Sequence, residues 1–503
     1  MVVVVVLTVV VVVVTAVLAY SKHHLNYWAS RGVPTAPGAL PILGHMPKFI
    51  SKKYPRWLYV DEVYRSLGSS TVCGFYEMLK PTLMIADPEL VKAVLIKDFD
   101  HFVDRRIFNF TSDKDEILNE MLTQASGTHW KGIRSVLSPT FTSGRMKGMY
   151  PLVEKKADAL LDYIHRELKT KTSIKLKKCF GLYTLEVISS CAFGMDTNSL
   201  KVGHSTFNTQ VENIFKTSTL RMIKVIFFFC FPKLSSILKM SFTQPEVLFF
   251  EKVVTETIKQ REAGEKRGDF LDIMMESRDD QSDPNSKTSK YPLKMSTIVA
   301  ESILFILAGY DTTANMLSIV SFLLAQHRSL QQRLRQEMRE IAVDGTFTYQ
   351  GVMEAKYLDA FISEALRLYP VAHFTERQCT KPYTVPGTKV VLTEKSVIGI
   401  PIWSLHHDPR YWSDPETFSP DRFLPHNKDQ IKSGTYLPFG LGPRNCIGMR
   451  FAMMEAKLVL AKILLHYEIT CVPGQDTLTF SEIPGLMRPS EDLSLVFTPI
   501  TQE

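Results

Sequence analysis

Hydrophobic and polar residues alternate along this chain mostly with a helical period. The longest apolar stretch is the first: Val2 to Tyr20 carries no charge and is interrupted only by Thr8 and Thr15. Further on, Trp130, Ile133, Val136 and Leu137 recur at helical spacing and predict a helix over 128–142. A long, largely apolar stretch over 295–326 predicts a central helix, and 318–342, 352–368 and 446–467 continue the helical pattern. Short runs rich in β-branched residues sit between the helices, Lys389–Leu392 and Ser396–Ile400, and Pro386-Gly387 ahead of them reads as a turn. Asp279–Tyr291 is polar and rich in helix breakers, which marks a surface loop before the central helix. No repeat stands out, which disfavours solenoids and propellers. The pattern is that of a mainly α chain with small β-sheets (α+β).

The N-terminal run is long enough to change the picture. About 20 apolar residues wound as a helix span the ~30 Å hydrocarbon core of a bilayer. A cleaved signal peptide is the alternative, and Val17-x-Ala19 mimics a cleavage site. Against it, no charged segment precedes the run, and the run exceeds the usual h-region. Residues 1–21 are therefore expected to be a single uncleaved transmembrane anchor. Lys22 and Arg31 follow it, with His23 and His24 nearby, and the positive-inside rule then places the larger part in the cytosol. Prolines 34, 37 and 41 exclude helix and predict a stiff hinge over 22–44, ahead of a body over 45–503. Ile226–Pro232 is very apolar but too short to span, so it is either a buried element or a membrane-dipping segment.

Composition narrows the class. With 45% apolar and 22% charged residues the chain is ordinary globular protein. Its net charge of +7 is spread along the sequence, without a zinc-finger, RNP or basic-helix signature, so no nucleic-acid partner is expected. Seven cysteines, at 73, 179, 191, 230, 379, 446 and 471, are odd in number, widely spaced and without a CxxC pair. That argues against a disulfide framework and against a structural zinc site.

One cysteine stands in a distinctive setting: Phe439-Gly440-Leu441-Gly442-Pro443-Arg444-Asn445-Cys446-Ile447-Gly448. Gly440, Gly442 and Pro443 make a bent loop that brings backbone close to a flat cofactor. Arg444 can meet an acidic group on that cofactor, and Gly448 leaves room for amide donors aimed at the sulfur. A helix starting just after Cys446 adds its positive end, which favours the thiolate. Ala308 and Thr312, four apart, share a face of the central helix, with Gly309 and Asp311 between them.

These segments resemble the cytochrome P450 superfamily. The first matches its Phe-x-x-Gly-x-Arg-x-Cys-x-Gly signature at every fixed position, and Ala308-Gly309-Tyr310-Asp311-Thr312-Thr313 resembles its oxygen-activation motif. Glu364-Ala-Leu-Arg367 matches the Glu-x-x-Arg pair, Pro420-Asp421-Arg422-Phe423 the element whose arginine joins it, and Trp130-Lys-Gly-Ile-Arg134 the Trp-x-x-x-Arg helix. Ser138–Gly144, Gly268–Asp272 and Ala372…Glu376-Arg377 are closest to the microsomal drug- and steroid-oxidising class that includes the vertebrate three-A subfamily. The paired prolines common in that family's hinge are lacking, and the anchor is almost pure valine.

The resemblance implies haem b (iron protoporphyrin IX) with Cys446 as its metal ligand, and dioxygen as co-substrate. Trp130, Arg134, Arg377, Arg444, Phe439, Gly440, Gly448 and Ala308 are the implied cofactor contacts, with Arg105 or Arg106 a weaker further candidate. Thr312 and Asp311 are the implied catalytic pair, the threonine bonding oxygen at the haem and the aspartate relaying protons. A threonine bonded back to its own helix is the structural alternative. Glu364, Arg367 and Arg422 are implied as scaffold. Leu304, Leu307, Ala308, Ala372, His373, Thr375 and Leu486 are expected to line an apolar pocket for lipophilic substrates; for His373 a structural role competes.

No flavin- or nicotinamide-binding domain is visible in the sequence. The implied electron source is a separate NADPH flavoprotein reductase, with a small haem electron-transfer protein as an optional further partner. Lys131 and Arg450 are weak docking candidates. The implied location is the endoplasmic reticulum membrane, single-pass, with the catalytic part facing the cytosol. Two alternatives stand beside a monooxygenase: a haem-thiolate isomerase or dehydratase, and a non-catalytic membrane haem sensor.

Overall fold

A computed structural model describes residues 1–49, 55–68, 70–106, 110–216, 218–264, 267–278, 291–481 and 485–500. Of the expected loop over 279–291, only Tyr291 lies within the described residues. The chain is mainly helical with small sheets, as the pattern predicts. Helix α1 (Val2–Leu25) stands out from the rest, with its valines more than a third exposed. Residues 22–44 do not stand off from the body. Trp28, Val33 and Ala36 are buried in the same cluster as strand β1 (Val72–Glu77), and Ala36 N–H donates to Gly74 O at 2.9 Å. The prolines stiffen this stretch, but its apolar side chains find a sheet to cover, and burial wins.

The central layer follows. Helix α2 (Gly127–Leu137) ends in a 3-10 turn at Ser138–Phe141, where Pro139 removes a donor. Helix α3 (Leu176–Phe193), buried almost throughout, packs on α4 (Met295–Gln326), the predicted central helix. That helix is long and apolar enough to cross a membrane, yet most of it is buried inside the protein. The expected continuation over 318–342 breaks at His327, and α5 (Arg328–Ile341) sets off in a new direction. Gln331 of α5 seals the break by donating to Leu324 O and Ile469 O, each at 2.9 Å. The predicted 352–368 helix begins at Lys356: the Glu337 carboxylate caps α6 (Lys356–Leu368) through Tyr357 N–H and Leu358 N–H at 2.7 and 2.9 Å. Helix α7 (Met449–His466) closes the core and packs on α4, α5 and α6's neighbour Tyr349–Glu354.

The β-structure carries a second hydrophobic cluster. β1 pairs antiparallel with β2 (Lys80–Ile85), and β2 in turn runs parallel to β7 (Val397–Ile400), which pairs with β4 (Thr375–Gln378). β3 (Ile174–Lys175), β9 (Ser494–Pro499) and β8 (Tyr467–Cys471) form a second sheet. β5 (Tyr383–Thr384) and β6 (Val391–Leu392) make a hairpin whose turn uses Gly387 at φ 73°. The apolar run at 226–232 falls at the end of the helix Thr219–Cys230 and the start of Pro232–Ile237, with Phe231 55% exposed.

Candidate active site

Cys446 sits in the loop before α7, held by its N–H donating to Phe439 O at 2.8 Å. The helix starts at Met449 rather than at the cysteine, and the Gly448 and Met449 amides point back at the sulfur. Burial pushes the thiol up from its ordinary range; the Gly448 amide, then the Arg134 and Arg105 guanidiniums and the Met449 amide, pull it back. The side chain is nonetheless accessible, although protein atoms surround it deeply. Gly440 and Gly442 both take left-handed backbone, at φ 75° and 74°. Gly442 needs its lack of a side chain, because a Cβ there would lie 1.8 Å from Leu95 O.

Arginines converge beside this loop. Arg377 and Arg444 are almost fully buried, and their pKa values fall to about 9, first through burial and then through repulsion from Arg105. Arg444 donates to Val103 O and Ala125 O at 2.5 and 2.6 Å, lies 3.5 Å from Asp104 and stacks over the Trp130 ring at 4.7 Å. The Nε atoms of Arg105 and Arg377 are buried with no partner among the described residues. Arg106 differs: it is ion-paired to Glu77 and, at 3.0 Å, to Glu376, whereas Arg105 has no ion pair among the described residues. Arg134 is turned to Asn445, donating to its carbonyl and side-chain oxygens at 3.0 Å each. Buried cations with open donors call for an anionic ligand with more than one carboxylate. The two propionates of a haem fit that demand, as an accessible thiol in an amide-lined loop fits its iron.

The rest of the loop's support is rigid. Glu364 and Arg367, both fully buried, form a bidentate pair at 2.7 and 2.8 Å; Arg422 joins Glu364 Oε1 at 3.3 Å. Arg367 also donates to His406 O, and His406 Nε2 accepts from Leu437 N–H at 2.8 Å. The triad thus reaches the cysteine loop through one histidine.

On α4 the buried run is interrupted at Leu304, Leu307, Ala308, Gly309 and Thr312, and Ala308 is exposed in mid-helix. The Thr312 hydroxyl donates to Ala308 O at 2.6 Å, the back-bonded arrangement. The helix continues through Gly309, and a Cβ there would meet Ile188 of α3 at 3.0 Å, so the glycine allows close packing. Asp311 faces away from open space, 1% exposed. Lys177 Nζ meets its Oδ1 at 2.5 Å, while Arg488 Nε and Asn315 Nδ2 meet Oδ2 at 2.9 and 3.1 Å. Lys177 and Arg488 lie far from Asp311 along the chain and belong to no motif, so nothing in the local pattern points to them.

Among the expected pocket residues, Ala372, Thr375 and Leu486 are half-buried, and Met487 N–H donates to Val371 O at 2.8 Å, which draws Leu486 toward Ala372. His373 is buried against Trp57; burial and Arg56 lower its pKa to about 3, so it is neutral, and its Nδ1 has no partner among the described residues. Phe439 and Gly448 are half-buried. Lys131 and Arg450 are exposed, the first 3.6 Å from Asp100, the second bonded to Ser143.

The model of the family described as Cytochrome P450 matches residues 34–497. The chain belongs to the cytochrome P450 family. It is 36% identical to cytochrome P450 3A11 of Mus musculus over 95% of this chain and 93% of that protein. Cytochrome P450 6k1 of Blattella germanica is 35% identical, covering 97% of this chain and 96% of its own length. Cytochrome P450 6a2 of Drosophila melanogaster is 35% identical, with 91% and 92% covered. As a P450 the chain is a monooxygenase and an oxidoreductase, and the family implies haem iron and the use of dioxygen. Its apolar N-terminal helix is a candidate transmembrane anchor.

Proposed function

We propose that this P450 inserts one oxygen atom from dioxygen into lipophilic substrates (xenobiotics, steroids or fatty-acid-like molecules), with electrons drawn from NADPH through a separate flavoprotein reductase. The observation that carries the reading is the accessible Cys446 thiol together with the buried Nε donors of Arg105 and Arg377, which have no partner among the described residues. Cys446 would hold the iron as thiolate, and Arg105, Arg377 and Arg444 the propionates, with Trp130 under Arg444. The haem supplies dioxygen activation. The chain's own residues govern protons and fit: the Thr312 hydroxyl, now bonded to Ala308 O, is the near donor, and the Asp311 carboxyl is the acid behind it. Leu304, Leu307, Ala308 and Leu486 exclude water and favour apolar substrates. The intact Asp311–Thr312 pair favours oxygen insertion over isomerisation or sensing, neither of which needs protons delivered.

On this reading α1 serves as the anchor in the endoplasmic reticulum membrane and the body faces the cytosol, which the exposed apolar helix and the positive charge that follows it support. A second lipid contact is the face carrying Leu220, Ile223, Phe231, Ile237 and Leu238, all more than half exposed. The test is the spectrum of the purified protein, reduced and exposed to carbon monoxide, followed by NADPH consumption with added reductase. A far red-shifted Soret band lost in Cys446→Ala, and substrate-dependent NADPH consumption, are expected. A well-folded protein with the band at the position of histidine-ligated haem would sink the thiolate reading. A normal band without reductase-dependent turnover would sink the electron-transfer reading alone.

A further inference from the structure

Glu301 is a carboxyl that the proposed proton route does not use, and it is fully buried in the second turn of α4. It shares a face of that helix with Leu304, Ala308 and Thr312, at i, i+3, i+7 and i+11, about two turns from Ala308. Its Oε1 accepts from the Leu122 N–H at 2.5 Å, and its Oε2 has no partner among the described residues. One turn earlier the bond runs the other way: Thr297 donates its hydroxyl to Glu120 Oε2 at 2.6 Å. His129 Nε2 lies 3.1 Å from the same oxygen. The short helix Glu116–Glu120 and the residues just after it are thus stapled to α4 at two points.

The stapled residues matter because of what they touch. Met121, Leu122 and Ala125 belong to the apolar cluster against which Leu304 and Leu307 pack. The Gln124 and Ala125 N–H groups both donate to Met121 O at 2.8 Å, which closes 121–125 into a tight turn. At its far end Ala125 O accepts from Arg444 at 2.6 Å. One short turn therefore runs from Glu301 to an arginine beside the cysteine loop. Burial pushes the Glu301 carboxyl well above its ordinary range; the Leu122 amide opposes the rise, and the charge of Glu120 adds to it. Near neutral pH one oxygen accepts and the other carries the proton.

We propose that Glu301 is a positioning residue: by holding Leu122 against α4 it fixes a wall of the substrate pocket and so selects which carbon is oxidised. Loss of the acceptor leaves the Leu122 N–H buried and unpaired, and the 121–125 turn drifts from the face that carries Ala308 and Thr312. An amide of the same shape reproduces the neutral acid, with its oxygen on the Leu122 N–H. This rests on the monooxygenase reading, and the experiment keeps the two apart.

Haem-loaded full-length protein, as wild type, Glu301→Gln and Glu301→Leu, is given reductase, NADPH and either testosterone or lauric acid, each with many C–H positions. Glu301→Gln is expected to keep the wild-type product ratio within about twofold, and Glu301→Leu to shift it at least about fivefold at an equal carbon monoxide spectrum. Hydrogen exchange over 116–125 is read on the same samples. It is expected to be slow in the wild type and Glu301→Gln and about tenfold faster in Glu301→Leu. Thr297→Val, which removes the other staple, takes the place of Glu301→Leu if that variant does not hold haem. Unchanged exchange in the variant lacking a staple overturns the staple itself. Faster exchange with an unchanged product ratio overturns the selection of position, and a Glu301→Gln ratio like that of Glu301→Leu overturns the neutral-acid form. Absence of NADPH-dependent product in the wild type overturns the monooxygenase reading, and the exchange comparison still decides the staple.

Discussion

Arg488 reaches Asp311 from the far end of the chain, its Nε donating to Oδ2 at 2.9 Å, while Lys177 takes Oδ1 from the opposite side. The acid beside Thr312 is therefore shared by two cations in a site where Asp311 is 1% exposed. Burial pushes the Lys177 ammonium down, and Asp311 is the main group that opposes that shift without cancelling it.

The cluster has two positive charges and one negative, so its members respond unequally to removal. Arg488→Gln leaves a neutral Lys177–Asp311 pair, and about 1 kcal/mol of stability is lost. Asp311→Asn strands two cations, and about 3–5 kcal/mol is lost. Denaturant unfolding of the haem-loaded protein compares them; equal losses would contradict the shared-acid arrangement.

The same pair sets proton delivery if Asp311 is the acid behind Thr312. Asp311→Asn is expected to lower turnover by about 100-fold at unchanged haem content. Thr312→Ala is expected to divert NADPH to hydrogen peroxide instead. Measuring product, peroxide and NADPH together distinguishes the two. Unchanged product per NADPH in Thr312→Ala would remove the threonine from the proposed route.

Arg377 stands among cations with its Nε buried and without a partner among the described residues, although its Nη1 donates to Glu376 O at 2.9 Å. Arg377→Met relieves repulsion in the haem-free protein but removes a donor for the propionates. Haem affinity is expected to fall about tenfold while the haem-free protein gains stability, a loss the size of one charge-assisted hydrogen bond. Haem transfer to a scavenger globin and thermal melting read the two effects separately. A loss of both would instead mean that Arg377 holds the fold.

Gly442→Ala meets two obstacles together, a left-handed φ of 74° and the Leu95 carbonyl at 1.8 Å. The backbone term alone costs about 1–2 kcal/mol. The cysteine loop must shift, so the carbon monoxide spectrum is expected to show a reduced thiolate band at equal protein. Gly474→Ala, at φ 83° with open space around it, is the control for the backbone term.

Stability is expected to fall with acid, because buried histidines stay neutral in the fold. His407 and His373 titrate at about 4 and about 3 here, displaced first by burial, against 6.5 when unfolded. A lowered histidine pKa leaves its contribution intact above pH 6.5 and loses it as pH falls, since the unfolded chain takes the proton first. From pH 7.5 to 5.5 each costs about 1.4 kcal/mol. Unfolding midpoints across that range measure the slope; His406, His45 and His327 are displaced in the same direction, so His407→Gln is expected to flatten it by about a third or less. An unaltered slope would mean other groups control it.

Local chemistry was legible where function is concentrated in consecutive residues. The bend at Gly440 and Gly442, the buried Glu364–Arg367 pair and the bounds of the central helix all follow from short stretches of sequence. Partners brought together by tertiary packing were not legible. Lys177 and Arg488 meet Asp311 only because α3 and the 485–490 loop pack on α4, and no spacing encodes that. The 22–44 stretch was misleading for the opposite reason: its prolines report stiffness, and only the sheet beneath Trp28 and Ala36 shows that it is packed.

The crowding of Arg105, Arg377 and Arg444 also bears on the supply of the protein in a cell. Like charges buried together raise the energy of the native chain, and a dianionic ligand that binds only that state lowers it by mass action. Folding is thereby linked to porphyrin availability. A cell short of haem would accumulate chains that open and are degraded, so abundance would follow the porphyrin pool even with transcription constant.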